Sequence, residues 1–156
     1  MSTTKTLEPI LSELPVFKGM KPDHLALMAG CASNVRFDAG EFVGRQGEPV
    51  DRFWIVRQGS VAIEIHAPGR GTVTIATIGA NEVLGWSWLL PPYQWHFDAR
   101  ALSTTRALAL DGRCLRGKFS TDHELGYEVM CRFAPLIAQR LEATSIQLLD
   151  VYGTHV

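Results

Sequence analysis

A cluster of aromatic residues is the part of this 156-residue sequence whose residue types and spacing could form a ligand-binding site. Trp86 and Trp88 lie in Gly85-Trp86-Ser87-Trp88-Leu89, and Tyr93 and Trp95 follow Pro91-Pro92. Flat rings offer a large apolar surface and retain a polar N–H or O–H, which suits a planar or apolar ligand. The same rings could instead fill the space between neighbouring elements and leave no cavity. The sequence leaves both alternatives open.

The other reactive residue types are not arranged for catalysis or metal binding. The five histidines are isolated, without an HxH or HExxH pattern, and His96-Phe97-Asp98 is the one neighbouring pair that could ligate a metal. Ser87 lacks the second glycine of an esterase elbow and is explained as a hydroxyl at a helix start. We therefore predict no enzyme, no catalytic residue, no metal site and no cofactor beyond a small-molecule effector.

Composition argues against several classes of partner. Fifteen basic and 16 acidic residues give a net charge of −1, so the overall charge indicates neither nucleic acid nor an anionic membrane. The small basic group Arg113, Arg116 and Lys118 is interpreted as a solvated helix face. No apolar run of about 18 residues and no signal-peptide pattern occurs, which predicts a cytoplasmic protein.

The three cysteines, Cys31, Cys114 and Cys131, lie far apart and form no CxxC pair. This spacing indicates neither a disulfide framework nor a metal cluster. We therefore predict that all three are reduced and mostly buried.

The elements that must position these residues follow from the apolar periodicity. The length fits one domain. Residues 7–31 show helical periodicity in two pieces, and Pro22-Asp23 is a suitable start for the second. Residues 35–110 form short alternating runs separated by glycine turns, which is typical of a sandwich or jelly roll. Helical periodicity returns after Gly112, chiefly over 122–152, with Pro135 inside it.

The last helical segment carries apolar residues at spacings of three and four. A near-heptad spacing suits a parallel helix pair across a homodimer axis, whereas a single stripe that covers the chain's own barrel is the alternative. The candidate interface residues are Met130, Phe133, Ile137, Leu141, Thr144, Leu148 and Val151.

The stretch Gln46 to Val61, together with glycines at 40, 47, 59, 79 and 85, resembles the cyclic-nucleotide-binding domains of the Crp/Fnr type. The resemblance covers about residues 10–152. It implies an α+β fold, an antiparallel jelly-roll β-barrel with N-terminal helices and a long C-terminal helix. The lead-in occupies 1–34, the barrel 35–111 with a cassette-like segment at 82–98, and the C-terminal helices 112–153.

The ligand site departs from that family's pattern. In the family, backbone N–H groups and an arginine meet the cyclic phosphate while an acidic residue accepts from the ribose hydroxyl. The resemblance puts Trp86 at the acidic position and Trp95 at the arginine position. Arg100 or His96 could supply a substitute charge, but strand alternation puts both on one face and Trp95, Phe97 and Ala99 on the other, and we expect the apolar set to point inward.

The last helix carries a further part of the resemblance. Thr144 and Ser145 resemble the pair that faces the adenine from both subunits in cAMP-responsive regulators, although ordinary helix hydroxyls are the alternative. The candidate pocket residues are Gly85, Trp86, Ser87, Trp88, Leu89, Trp95, His96, Thr144 and Ser145.

These observations predict a non-enzymatic regulatory or sensor module that does not bind cAMP or cGMP conventionally. We expect a homodimer that binds a small-molecule or nucleotide-like effector, with a protein as a further candidate partner. We expect neither direct DNA binding nor association with a membrane. In the family, a helix-turn-helix domain follows the last helix. This sequence ends at that point, so we expect no helix-turn-helix domain and interpret the chain as a stand-alone module. The alternatives are a ligand-free scaffold with a plugged pocket, and a transcriptional regulator that lacks its DNA-binding domain.

Overall fold

A computed structural model describes the backbone of residues 3–153 and the side chains of residues 7–142. The chain begins with α1 (Thr3–Glu13) and α2 (Pro22–Ala29). Pro22 occupies the first turn of α2 and Asp23 follows it, so the predicted start of this helix is confirmed. A proline costs nothing there because its missing N–H would have no helical partner.

In the described part of the chain, eight strands form two antiparallel sheets. The strands are β1 (Ala32–Phe37), β2 (Phe42–Gly44), β3 (Arg52–Gln58), β4 (Val61–Ala67), β5 (Gly71–Ile78), β6 (Val83–Leu84), β7 (Asp98–Ala101) and β8 (Thr105–Asp111). Their order is β1-β8-β3-β6 in one sheet and β2-β7-β4-β5 in the other. The predicted α+β jelly roll is confirmed. The two-residue β6 was not predicted, because a strand this short shows no alternation.

The core lies between the sheets and is closed by the helices. β3 buries four consecutive residues, Phe53 to Val56, because both of its faces are covered. Phe17 from the lead-in and Phe133 from the last helix are also fully buried. Phe133 packs edge-on against Phe53, with ring centroids 5.0 Å apart. Fully burying a large apolar side chain stabilises a fold by about 1.5–3 kcal/mol, so this contact ties the last helix firmly to the barrel.

Two helices follow the barrel, α3 (Gly112–Thr121) and α4 (His123–Gly153). The carboxylate of Asp111 caps α3 by accepting from the backbone N–H groups of Arg113 and Cys114. The prediction put C-terminal helices over 112–153, chiefly over 122–152, but set no bounds for α3. The reason is that α3 has a mixed polar and apolar pattern and its cap is an aspartate that also ends a strand. α4 continues through Pro135 without a break.

The prediction of three reduced cysteines is wrong. Cys31, at the end of the lead-in, and Cys114, in α3, form a disulfide across 83 positions of sequence, with their Cα atoms 5.9 Å apart. Cys131 is a free and exposed thiol. Spacing could not reveal the pair, because the barrel that brings the two ends together is a tertiary feature.

The apolar stripe on α4 needs one correction. Phe133 is fully buried in the protomer's own core and cannot belong to a dimer interface. Thr144, Leu148 and Val151 lie outside the described side chains.

No helix in the described part of the chain is long and apolar enough to cross a membrane.

Candidate functional site

A sharp turn at Gly85 opens the cassette-like segment. Gly85 adopts φ 90°, a left-handed conformation that favours glycine, and starts a short 3-10 helix, Trp86–Leu89. A Cβ atom at this position would lie 3.0 Å from the Trp54 ring. The glycine therefore lets the chain turn tightly against the barrel wall and present Trp86 and Ser87 to the space beyond.

Contacts with the barrel and with α3 fix the rest of the segment. The Arg116 guanidinium donates to the Trp88 carbonyl oxygen and lies 4.1 Å from the centre of the Tyr93 ring. The Val50 N–H donates to the Tyr93 carbonyl over 2.8 Å, and the Trp95 N–H donates to the Glu48 carbonyl over 2.9 Å. These bonds hold the backbone that carries Trp95 and His96 in one position.

The segment covers an open cavity of about 380 Å³. Most of the lining is apolar. The lining residues are Ile63, Ile65, Ile75, Ala76, Ile78, Val83, Leu84, Gly85, Trp86, Ser87, Trp95, His96, Phe97 and Arg140. The volume lies at the lower end of the usual range for small-molecule sites, about 300–1,000 Å³.

Trp95 forms a closed wall of this cavity. Only 8% of its surface is exposed, and its indole stacks on Trp54 with ring centroids 5.6 Å apart. The same indole lies directly over Gly44, where a Cβ atom would come within 2.0 Å of the ring. Trp95 thus occupies the interior volume at the place where the resemblance locates the family's phosphate-binding arginine.

More exposed rings stand on the open side. The rings of Trp86 and His96 are 6.3 Å apart and inclined by 30°. Phe97, which lines the same cavity, is also partly exposed. This part of the wall can change its contacts with a ligand more easily than the stacked Trp95 can.

Two predicted pocket residues are not part of the cavity. Trp88 is fully buried and stacks on Phe53, with centroids 4.7 Å apart, on the core side of the 3-10 helix. Leu89 packs against the same core. Successive residues of this short helix point in different directions, so Trp86 and Trp88 serve different purposes although they are two positions apart. Thr144 and Ser145 lie outside the described side chains.

The predicted strand alternation holds for part of the segment. Ala99 is fully buried, whereas Arg100 forms a two-bond ion pair with Glu64, at 2.8 and 3.0 Å, and is absent from the cavity lining. The hydrogen bonds from Arg100 hold the pKa of the Glu64 carboxyl below its usual value. His96 does line the cavity, because β7 begins at Asp98 and the alternation does not extend to residue 96.

The cavity contains few polar side chains. Ser87, His96 and Arg140 contribute them, and no aspartate or glutamate occurs among the described lining residues. In the described part of the chain, no cluster of three or more His, Cys, Asp or Glu side chains could hold a metal ion. The described lining residues offer a flat apolar surface and the guanidinium of Arg140, an arrangement that suits ligand binding.

Arg140 is the site residue that sequence reasoning missed. It reaches the cavity from α4 and is the lining residue of that helix in the described part of the chain. It precedes Thr144 by four positions, and residues four apart share one helix face. The helical spacing between Arg140 and the candidate pocket residue Thr144 is therefore the sequence signal that could have found Arg140.

A second cavity, of about 570 Å³, lies between α4, Pro15 and Val16 in the segment after α1, and the turn before β6. Arg132, Leu136 and Gln139 line it from α4. Val83, Trp86 and Arg140 line both cavities. These three residues therefore form the wall between the candidate ligand site and the second cavity along α4.

The sequence and the fold match one family of ligand-binding modules. Residues 34–122 match the family model described as "Cyclic nucleotide-binding domain". The chain is 26% identical over 150 residues to a CRP-like cAMP-activated global transcriptional regulator of Mycobacterium tuberculosis. That match covers 96% of this chain and 65% of the regulator, so the chain spans about two thirds of the length of this relative.

Solved structures show the same fold at low sequence identity. A cyclic nucleotide-binding domain from Methylobacillus flagellatus KT superposes with a TM-score of 0.78 at 18% identity, over 94% of this chain and 83% of that one. The sensor domain of the transcriptional regulator DNR from Pseudomonas aeruginosa gives 0.71 at 17% identity, over 91% and 95%.

Proposed function

Because the chain belongs to the cyclic nucleotide-binding domain family, we propose that it works as a non-enzymatic sensor module whose pocket has diverged from conventional cAMP or cGMP binding. The observation that carries this proposal is the open, mostly apolar cavity beneath the segment 82–98. A module that only scaffolded other proteins would have no need for a cavity at this place. The named relative is itself a transcriptional regulator, which fits a regulatory role.

The chemistry of the wall argues against a cyclic nucleotide in the family's usual pose. The ribose hydroxyl needs an acidic acceptor and the cyclic phosphate needs a cation, but the family resemblance puts Trp86 and Trp95 at those two positions. Trp95 also fills the volume beside Trp54. Loss of one partner from a desolvated charge pair costs about 2–5 kcal/mol, which is on the order of thirty- to several-thousand-fold in affinity.

Signal transmission would use the walls that the two cavities share. A ligand that contacts Trp86 and Arg140 touches both the 3-10 helix and α4. It shifts the position of α4 only if it binds one arrangement of these elements more tightly than another. We propose that α4 in turn pairs with a second copy of the chain, because it presents exposed apolar side chains away from the barrel.

The test is a titration of cAMP and cGMP into the ligand-free protein, followed by the same titration into Trp86→Glu/Trp95→Arg. The wild type should bind with a dissociation constant well above micromolar. Micromolar affinity needs about 8 kcal/mol of binding free energy, and the wild type lacks two of the charge contacts that would supply it. The double variant should bind more tightly. Trp86→Gln/Trp95→Gln is the matched control, since it opens the same space without the two charges. Micromolar binding by the wild type would overturn the proposal.

A broader screen tests whether the cavity is used at all. Anything that binds only the folded state raises the melting temperature by mass action. Nucleotides, flavins and aromatic metabolites that leave the melting temperature and the tryptophan fluorescence unchanged would favour the alternative, a ligand-free interaction module. The deep burial of Trp95 is the observation that favours that alternative.

A further inference from the structure

Arg140 and the apolar walls of the cavity, as the described lining residues show them, define a ligand class more closely. We propose that the site takes a small planar or apolar organic acid, with Trp86 as a flat wall and the Arg140 guanidinium as the partner of a single carboxylate. This inference rests on the proposed sensor function and adds the chemistry of the ligand to it.

The body of the ligand follows from the barrel side of the lining. Ile63 and Ile65 on β4 and Ile75 and Ile78 on β5 offer no hydrogen-bonding side chain. A hydroxyl or amine buried against such a wall loses its bonds to water and gains none, which disfavours sugars and polyols. An apolar or aromatic body loses nothing there and is attracted by the hydrophobic effect and by ring contacts with Trp86.

The charge of the ligand follows from the opposite side. Arg140 lines the cavity, and no acidic side chain does so among the described lining residues. A planar guanidinium can bind a carboxylate through two parallel N–H donors, and its five donors can serve a ligand and a protein neighbour together. The described lining residues include no second arginine to meet a second anionic group, so a monoanion is favoured over a dianion.

The position of Arg140 also predicts how the ligand's carboxylate affects α4. Because Arg140 and Trp86 line both cavities, a carboxylate drawn to Arg140 acts at the boundary between the pocket and the second cavity along α4. A neutral analogue of the same shape would fill the pocket without that contact. The acid should therefore be distinguished from its neutral analogue both in affinity and in its effect on α4.

Calorimetric titration of the full chain with 2-naphthoate and with 2-naphthamide isolates the charge, because the two probes share one ring system. We expect the acid to bind about ten- to hundredfold more tightly, the range that a charge-assisted hydrogen-bonded pair supplies. Arg140→Gln should abolish this preference while binding of the amide persists. Arg140→Lys keeps the charge without the two-donor geometry and should retain part of the preference.

Arg113→Gln is the matched control, because it removes the same charge from an exposed arginine that pairs with Asp51 outside the cavity. It should leave the acid preference unchanged. Equal affinities of the wild type for acid and amide, or a preference that survives Arg140→Gln, would overturn the inference while leaving the sensor function standing. If neither probe binds, the inference is also overturned, and the sensor function fails with it only when the broad ligand screen finds no other ligand.

Discussion

Gly44 and Trp95 form a coupled pair that shapes the candidate site. The indole of Trp95 is held between Trp54, on which it stacks, and Gly44, over which it lies. A ring fixed on one side by a stack cannot move aside for a new atom on the other. The position of the Trp95 ring therefore requires a residue without a Cβ atom at 44.

We predict that Gly44→Ala destabilises the protein by about 1–3 kcal/mol, the usual cost of overpacking a core. Its Cβ atom would lie 2.0 to 2.5 Å from three atoms of the Trp95 ring. In a Trp95→Ala background the same substitution should cost little, because the clashing ring is gone and neighbouring sites are not additive. Urea unfolding of the single and double variants measures this coupling.

Gly117→Ala is the control for that experiment. Gly117 lies in α3 with no atom within 4 Å of an added Cβ, so alanine should be neutral or stabilise the helix by up to about 1 kcal/mol. Equal destabilisation by Gly44→Ala with and without Trp95 would contradict the proposed coupling.

Sequence reasoning could predict some of these residues but not others. The spacing from Arg100 back to residue 95, combined with the family resemblance, singled out Trp95, and Trp95 lines the cavity. It could not separate Trp86 from Trp88, because the direction of each side chain depends on a 3-10 turn whose partners come from β3 and α4. Arg140 was missed for a similar reason, since its cavity is built from strands distant in sequence.

At the scale of elements, α4 presents a buried face and an exposed apolar face. Leu125, Val129 and Phe133 are buried against the protomer. The other face exposes Tyr127 (73%), Met130 (42%) and Leu141 (67%). The exposed positions, with Ala134 and Ile137 between them, follow each other at spacings of three, four, three and four, which is the spacing of a two-stranded coiled coil. The predicted stripe stays a prediction, and the buried Phe133 gives way to Ala134 in the exposed series.

We predict that Met130→Glu/Leu141→Glu converts a dimer to a monomer without unfolding the protomer. Both side chains are exposed in the single chain, so the charges should harm only a helix pair. Sedimentation velocity over a concentration series gives the assembly state, and circular dichroism reports the strands.

Leu102→Glu is the matched control, because Leu102 is 45% exposed but lies outside α4, in the turn between β7 and β8. It should leave the assembly unchanged. A wild type that sediments as a monomer throughout, or a double variant that sediments as the wild type does, would refute the helix pair.

At the scale of the whole molecule, the disulfide joins the two ends of the barrel domain. Cys31 directly precedes β1 and Cys114 follows β8 in α3, and these two strands are neighbours in one sheet. The bond therefore closes a loop that contains all eight strands. Disulfides of this kind are uncommon in reducing compartments. The prediction of reduced cysteines failed because it depended on local spacing, whereas this pair is brought together only by the complete fold.

We predict that Cys31→Ser lowers the free energy of unfolding by about 2–4 kcal/mol, because the unfolded chain regains the freedom that a long closed loop denies it. For a chain of this length the melting temperature should fall by roughly 5–15 °C. A reducing agent should have the same effect on the wild type and none on Cys31→Ser. Cys131→Ser is the matched control, since Cys131 is exposed and unpaired with another cysteine. Two free thiols at positions 31 and 114 in mass spectrometry of the unreduced, alkylated protein would overturn the assignment, as would a wild-type melting temperature that reduction leaves unchanged.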